Sequence, residues 1–198
     1  MTSRNTSPSG LDFLCRMEGV VLHVYKDQAG LATIGVGHLI KPGEHFSTIT
    51  REEALALLAS DVKKCEIALN RCAKVELTQN QFDALISWSF NCGTGVLSNS
   101  GVMRELNAGR YENVPAKLLE WSKIRVNGQM VTSQGLYDRR KAEGELFARP
   151  DDEGLPPHEQ DALDADSLAL AQSATAMSID RIVSGIFSHT DDSTQGVA

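Results

Sequence analysis

The sequence predicts an α+β fold in which a small sheet near the N-terminus precedes a larger helical bundle. The segment HVYKDQAGLATIGVGHLI, residues 23–40, has the composition of short strands, with turn signals at 28–30 and again at 41–43. After residue 50, apolar residues recur at helical spacing and follow helix-capping signals. A chain of 198 residues can bury one compact core and still have room for an appendage.

The predicted helices follow one another along the chain. LDFLCRME, residues 11–18, has helical apolar spacing, and Gly19 is placed to end that helix. Thr50 and Glu53 form a capping-box signature, which opens a helix. The apolar face of that helix is Ala54, Leu58, Val62, Cys65 and Leu69. Thr78 and Gln81 repeat the signature before a second apolar face of Phe82, Leu85, Ile86 and Phe90. Further helical stretches are expected near 101–108, 111–122 and 136–147.

The charges divide the chain near its C-terminal quarter. Residues 151–198 contain ten acidic side chains and one base, a net charge of −9, whereas residues 1–150 have a net charge of +2. The composition changes at the same place, where DDEGLPPHEQD has the character of a linker. We therefore expect a polar leader at 1–10, a main domain at 11–149 and an acidic linker and tail at 150–198. The tail contains one candidate for a short amphipathic helix, with apolar residues at Ile179, Ile182, Val183, Ile186 and Phe187.

Composition also excludes several classes of protein. No apolar run approaches the roughly 18 residues of a membrane span, so no stable membrane insertion is expected. The N-terminus, MTSRNTSPSG, lacks the apolar region of a secretory signal, which predicts synthesis in the cytoplasm without a signal peptide. The chain has no phosphate-binding loop and no basic stripe, so no nucleic-acid partner is expected.

The cysteines do not indicate a metal site. Cys15, Cys65, Cys72 and Cys92 show no C-x-x-C spacing and no nearby pair of histidines. Cys65 and Cys72 are two helical turns apart, too far along the axis for a disulfide within one helix. The sequence therefore predicts buried free thiols, with no metal and no cofactor.

Glu18 and Asp27 are the acidic candidates for chemistry near the N-terminus. Glu18 ends the first predicted helix against apolar neighbours, where desolvation disfavours the charged form of a carboxyl. Asp27 lies in a polar turn, where a carboxyl stays ionised. Two carboxyls in such contrasting environments suit glycoside hydrolysis, because one protonates the leaving oxygen while the other acts on the opposite face. The same spacing also suits a solvated hairpin after a helix end, and the residues alone leave both interpretations open.

Four patches in register resemble the phage-type lysozymes, relatives of the T-even phage lysozyme. The pattern E-x8-D-x5-T followed by IGVGHL, which starts at Glu18, resembles the family's catalytic segment. TQNQFDALISWSFNCG and NSGVMRELNAGRY resemble two successive helices, and GLYDRRKAEGELF resembles the closing arginine-rich helix. Together they cover about residues 11–149 and make this the catalytic domain. The resemblance implies a lysozyme-like fold, with a small N-terminal sheet lobe, a larger helical lobe and an active-site cleft between them.

The resemblance also implies roles for individual residues. Glu18 would be the general acid that protonates the glycosidic oxygen, and Asp27 the second carboxylate, acting as base or electrostatic stabiliser. Thr33 would lie where the family positions its attacking water. The family is regarded as inverting, which requires the carboxyls to be far enough apart, about 6.5–9.5 Å, to admit that water. Arg139 matches the arginine that pairs with the catalytic glutamate.

Further positions are expected to contact substrate or to support the site. Leu39, Phe90 and Ser100 match positions that contact the glycan. His38 is expected to make a structural hydrogen bond to a buried acid. The chain departs from the family at Gly101, where many relatives have threonine after the serine, and at Lys117, where the T-even relative contacts substrate with an amide.

The resemblance implies a muramidase that hydrolyses β-1,4 bonds between N-acetylmuramic acid and N-acetylglucosamine in peptidoglycan. We expect a phage or prophage endolysin that acts as a monomer on the glycan strands after a holin-type lesion releases it from the cytoplasm. Two alternatives stay open at this point. One is a bacterial effector delivered into rival cells, and the other is a degenerate wall-binding module without activity.

Overall fold

The computed structural model describes residues 3–27 and 29–151 of the chain. Within them the elements are α1 (Pro8–Glu18), β1 (Val21–Lys26), β2 (Ala32–Gly35), β3 (His38–Leu39), α2 (Arg51–Asp61), α3 (Lys63–Cys72), α4 (Gln79–Cys92), α5 (Val96–Asn99), α6 (Gly101–Asn107), α7 (Val114–Leu119), β4 (Lys123–Val126), β5 (Gln129–Thr132) and α8 (Gln134–Ala148). Single 3-10 turns, Tyr111–Asn113 and Glu120–Ser122, flank α7.

The predicted α+β class is confirmed, and more residues lie in helices than in sheets. None of the helices in the described ranges has both the length and the apolar composition needed to cross a bilayer.

The first sheet is antiparallel, with the strand order β1-β2-β3. Its register pairs Tyr25 with Thr33 and Thr33 with Leu39, so these three side chains lie in a row on one face. Ile34 points to the opposite face, where it packs with Ile49 and Ala54 in a small buried cluster. One face of the sheet is thus committed to packing on α2, which leaves the Thr33 face for function.

The main core lies among the helices, with α4 at its centre. This helix packs against α1, α3 and α8, and its side chains from Phe82 to Ser89 are all buried. Trp88 is fully buried and meets Trp121 edge to face, with ring centroids 5.4 Å apart. α8 is the arginine-rich helix. Because it packs closely along α4, and α4 also packs on α1, α8 lies on the side of α1 that faces the core.

The helix predicted between Thr50 and Leu69 is divided into two. Both predicted capping boxes are present, at Thr50 and at Thr78. α2 ends at Asp61 and α3 begins at Lys63, although the backbone N–H of Val62 still bonds to the carbonyl of Leu58. The predicted apolar face continues through this break, since Ala54, Leu58, Val62, Cys65 and Leu69 are all buried.

Sequence reasoning missed the β4–β5 hairpin. Asn127 and Gly128 form its turn, with φ angles of 50° and 81°. A two-residue hairpin turn requires this left-handed backbone, which asparagine and glycine adopt most readily. The Asn-Gly pair was therefore the signal that could have found it. β4 alternates polar and apolar residues over only four positions, and β5 does not alternate, so the strand pattern itself is a weak signal.

The start of the described chain is fastened to α3 and α4. The backbone N–H of Thr6 donates to Glu66 at 2.8 Å, and that of Ser7 donates to Asp83 at 3.1 Å. Ser7 also caps α1, which begins at Pro8, earlier than the expected start at residue 11. The residues just before α1 are therefore part of the packed body.

The end of the described chain is also fastened. The carboxylate of Asp151 accepts hydrogen bonds from the backbone N–H groups of Gln79 and Asn80, at 2.9 and 3.0 Å, and so caps α4. Residues 152–198, with the predicted amphipathic stretch, lie outside the described residues, as does Gln28 in the first predicted turn. The predicted division into leader, catalytic domain and tail therefore stays a prediction.

All four cysteines are free thiols. Cys15 and Cys65 are buried, whereas Cys72 and Cys92 are half-buried. Burial raises the pKa of Cys15 to about 11 and also raises the pKa of Cys65. Because the thiolate is the reactive form, these two buried thiols are chemically inert at neutral pH.

Candidate active site

Glu18 is placed by the end of the first helix. It is the last residue of α1, and Gly19, with a φ of 77°, turns the chain away while its N–H bonds to the carbonyl of Cys15. The side chain of Glu18 is 10% exposed. The carboxyl is therefore almost withdrawn from water, but it can still be reached from the surface.

Arg139 on α8 contacts the Glu18 carboxyl directly. Its Nη2 lies 2.7 Å from Glu18 Oε1, and its Nε lies 3.1 Å from Glu143 Oε1. Burial alone would lower the pKa of Arg139, but the negative charges of Glu18 and Glu143 outweigh that effect and raise it. The guanidinium thus stays charged and fixes the position of Glu18.

Glu143 holds two arginines at once. Its Oε1 accepts hydrogen bonds from Ser87 Oγ at 2.8 Å and from Arg140 Nη2 at 3.0 Å, and its Oε2 lies 2.9 Å from Arg140 Nε. Both Glu143 and Arg140 are fully buried. We call Glu18, Arg139, Arg140 and Glu143 the buried charge cluster. Its two carboxylates and two guanidinium groups balance in charge, which is how proteins tolerate buried ions.

Asp27 lies in the turn that follows β1. Its N–H donates to the carbonyl of Leu31 at 2.9 Å, and its Oδ1 accepts from the N–H of Leu31 at 2.8 Å. Gly30, with a φ of 77°, closes the turn by donating to the carbonyl of Asp27. One carboxylate oxygen is thus held by the backbone, and the turn orients the other.

Thr33 is tied to the same backbone position as Asp27. Its hydroxyl donates to the carbonyl of Leu31 at 3.1 Å, and its side chain is buried at 2% exposure. The proton of this hydroxyl is therefore already used, and its lone pairs remain to accept a hydrogen bond. Through Leu31, the turn places the Asp27 and Thr33 side chains in a fixed relation.

The structure brings only one of the three expected glycan contacts to this sheet face. Leu39 pairs with Thr33 across the β2–β3 ladder and is 47% exposed. Phe90 is half-buried on α4, where it packs against the helical core. Ser100 caps α6 by accepting from the N–H of Met103 at 3.2 Å, and it lines a depression formed with α3 and α5. The substrate roles of Phe90 and Ser100 stay predictions.

His38 supports the sheet from its packed side. Its Nδ1 lies 2.8 Å from Asp61 Oδ2, and its Nε2 lies 3.1 Å from Glu44 Oε2. Asp61 is the last residue of α2, so this contact fastens β3 to that helix. The ring is 4% exposed, whereas both acids are partly exposed. The expected hydrogen bond to an acid is therefore present, and it links structure rather than substrate.

Sequence reasoning missed two residues of this region. Glu143 follows Arg139 and Arg140 at helical spacings of four and three, which is the signal for ion pairs along one helix face. Tyr25 stands two residues before Asp27 and shares its strand alternation, which places it on the Thr33 face. Neither signal distinguishes a site from a solvated surface until the burial is known.

Comparisons with known proteins agree with this geometry. Residues 15–143 match the phage lysozyme family. The chain is 40% identical over 143 residues to an endolysin of Acyrthosiphon pisum secondary endosymbiont phage 1, a match that covers 71% of this chain and 96% of the relative.

Solved structures show the same fold. An endolysin from Escherichia coli O157:H7 phage FAHEc1 is 36% identical with a TM-score of 0.67, covering 74% of this chain and 95% of that one. The muramidase domain of SpmX from Asticaccaulis excentricus is 33% identical with a TM-score of 0.68, covering 74% and 100%. The matched family segment contains Glu18, Asp27, Thr33 and the whole of the buried charge cluster. The resemblance and the lysozyme-like fold are thus confirmed, and the chain belongs to the phage lysozyme family.

Proposed function

We propose that this glycoside hydrolase is a muramidase that cleaves β-1,4 bonds between N-acetylmuramic acid and N-acetylglucosamine in bacterial peptidoglycan. One observation supports this above all. A nearly buried carboxyl, Glu18, is held by Arg139, while a second carboxylate, Asp27, lies beside the exposed residues Gly30 and Leu31 and is coupled through Leu31 to the Thr33 hydroxyl. Two carboxyls in such different environments match the division between acid and base that glycosidic cleavage requires.

Glu18 is the proton donor in this mechanism. Its low exposure keeps bulk water away, and Arg139 holds its carboxyl in one orientation. The proton passes from Glu18 to the glycosidic oxygen as the bond to the anomeric carbon breaks. Arg139, with its second partner Glu143, then compensates the negative charge that forms on Glu18.

Asp27 and Thr33 act on the opposite side of the sugar. The Thr33 hydroxyl donates its hydrogen bond to the carbonyl of Leu31, so its lone pairs can accept a hydrogen bond from the attacking water. Asp27 accepts the proton that this water loses, because its Oδ1 is held by the backbone and its other oxygen is available. Leu39, exposed beside Thr33, offers an apolar contact for the sugar ring. Phe90 and Ser100 are proposed as further contacts along the glycan.

The biological role that fits best is host lysis by a phage or prophage endolysin. The family and the endolysin relatives support this role, and they do not favour an effector or a degenerate wall-binding module. We further propose that the protein acts as a monomer and reaches the wall through a holin-type lesion.

A turbidity assay on purified peptidoglycan tests the function. Wild-type protein should clear the suspension and release new reducing ends. Glu18→Gln should lower the rate by about 10²–10⁴-fold, because it removes the proton donor. Asp27→Ala should be similarly severe. Both variants should stay folded by circular dichroism.

Glu145→Gln is the matched control. Its carboxylate lies on α8 but is 63% exposed, so activity should not change. If wild-type protein bound the walls without releasing reducing ends, the chain would be a binding module. More than a tenth of wild-type activity in Glu18→Gln would contradict the assignment of the acid.

A further inference from the structure

The first sheet separates its side chains cleanly between two faces. Val24 and Ile40 pack with Ile34 in the small cluster against α2. Because neighbouring residues of a strand point to opposite sides, Tyr25, Thr33 and Leu39 share the other face. Thr33 is the middle member of this row, with Tyr25 directly opposite on β1. The tyrosine is therefore a cross-strand neighbour of a residue proposed to hold the attacking water.

The charges of both proposed catalytic carboxyls also act on Tyr25. Its side chain is half-buried. Burial raises the pKa of its phenol, and the charges of Asp27 and Glu18 raise it further. The hydroxyl thus keeps its proton over the range in which a lysozyme works, and it acts as a hydrogen-bond donor.

The side chains on this face of the sheet differ in whether they already donate a hydrogen bond. The Thr33 hydroxyl donates to the carbonyl of Leu31, and Asp27 Oδ1 accepts from the N–H of Leu31. In the described part of the chain, no hydrogen bond joins the Tyr25 hydroxyl to another group. Of the three side chains Tyr25, Asp27 and Thr33, only Tyr25 therefore has a proton that is not yet donated.

We propose that Tyr25 is a positioning residue for the hydrolysis, whose hydroxyl donates a hydrogen bond to the Asp27 carboxylate when a glycan occupies the site. This inference rests on the muramidase function proposed above. Such bonds are often long or absent in the free enzyme and form only when substrate excludes water. The donated bond fixes the orientation of the Asp27 side chain and aims its second oxygen at the water that Thr33 also contacts.

Tyr25→Phe is the direct test, because it removes the hydroxyl and keeps the ring. With purified peptidoglycan as substrate, kcat should fall by about 10- to 100-fold, as expected for a hydrogen bond to a charged group. KM should stay within about two-fold, since the bond forms to the enzyme and not to the sugar. The acidic limb of the pH–activity profile should move to higher pH, because ionised Asp27 loses a donor. Tyr137→Phe, an exposed tyrosine on α8, is the control and should match wild type.

A double variant separates positioning from packing. In the background of Asp27→Asn, Tyr25→Phe should cost less than about two-fold, because no carboxylate remains to be held. An unchanged rate and pH profile in Tyr25→Phe would overturn the proposal. So would a loss of activity that follows a lowered melting temperature without any shift in the profile. Wild-type protein that does not cleave the wall would instead overturn the proposed function, and this role of Tyr25 with it.

Discussion

Glu18 lies at a helix end against a buried charge cluster, whereas Asp27 lies in an exposed turn of a small sheet. The first carboxyl is held by Arg139, itself held by Glu143, and all three belong to the helical body. The second is held by the backbone of Leu31, and its sheet packs on a cluster with only three buried apolar residues, Ile34, Ile49 and Ala54. The two halves of one proposed site are thus built by different means.

The helical body and the sheet should differ in how much stability is lost when a charged group is removed. In the helical body, a removed carboxylate leaves two buried guanidinium groups with one negative charge between them and no access to water, which is expensive. In the sheet, partly exposed groups regain water when a partner is removed, so the cost is small. We expect the helical side to couple stability with activity, and the sheet side to separate them.

Glu143→Ala should have the largest effect on stability. It leaves Arg139 and Arg140 buried with only Glu18 to balance them, which should lower the free energy of unfolding by about 3–5 kcal/mol. Urea unfolding at neutral pH measures this. Glu145→Ala, two residues along the same helix and exposed, should change it by less than about 0.5 kcal/mol. If Glu143→Ala and Glu145→Ala lowered the free energy of unfolding equally, burial of the charge cluster would not determine the loss of stability.

Arg139→Gln should lower activity by about 10- to 100-fold and move the pH optimum upward. The shift follows because Glu18 loses a nearby positive charge and keeps its proton to higher pH. Stability should fall less than in Glu143→Ala, since Arg140 still pairs with Glu143. A pH–activity profile and a thermal melt check both points. A large loss of melting temperature with an unchanged profile would make Arg139 purely structural.

Asp61→Asn tests the sheet side. The substitution removes the negative charge beside His38 but keeps an oxygen that can accept a hydrogen bond. The free energy of unfolding should therefore fall by about 1 kcal/mol. Activity at 25 °C should stay within about two-fold of wild type, because the catalytic face of the sheet is untouched. A destabilisation as large as that of Glu143→Ala would show that the sheet depends on charge as strongly as the helical body.

Asp151→Asn tests whether burial of a carboxylate or its location in the helical body determines how much stability is lost when its charge is removed. Asp151 is suited to this test because it is exposed and yet belongs to the helical body. Burial is the largest single influence and raises the pKa of Asp151, but the hydrogen bonds from the N–H groups of Asn80 and Gln79 together outweigh it and lower the pKa below its ordinary value of 3.8. Its stabilising effect is therefore fully present above pH 3.8 and is lost as the pH falls through the lowered folded value.

The substitution should cost about 0.5–1 kcal/mol at pH 7, the usual range for an exposed helix cap. It should cost little at a second pH that is acidic enough to protonate the wild-type carboxyl, because the charge that caps the helix is then lost in both proteins. Urea unfolding at the two pH values makes the comparison. A loss of several kcal/mol at pH 7 would mean that location in the helical body, and not burial, sets the cost.

Much of the fold was predictable because its signals are local. Capping boxes at Thr50 and Thr78 depend on residues three apart, and both are present. The β4–β5 hairpin had a local signal at Asn127 and Gly128 that was not used. The break at Val62 had no such signal, because the apolar spacing continues through it and only packing distinguishes one helix from two.

The proposed site was predicted only in part. The residues alone left Glu18 and Asp27 as either a catalytic pair or a solvated turn, and the resemblance supplied the roles. Ser100 has a structural task as well, since its hydroxyl caps α6, and its predicted substrate role stays a prediction. Glu143 was missed because a glutamate near two arginines is usually a surface ion pair, and only its complete burial makes it a central counter-charge.

The sequence by itself determined where α2 and α4 begin, which faces of strands and helices are apolar, and which family the chain resembles. These depend on contacts between near neighbours, whose geometry the backbone period dictates. Tertiary structure alone decided that Arg139 also pairs with Glu143, that Tyr25 lies opposite Thr33, and that Asp151 caps α4. The energies of such contacts depend on burial, which arises only when the whole core has packed.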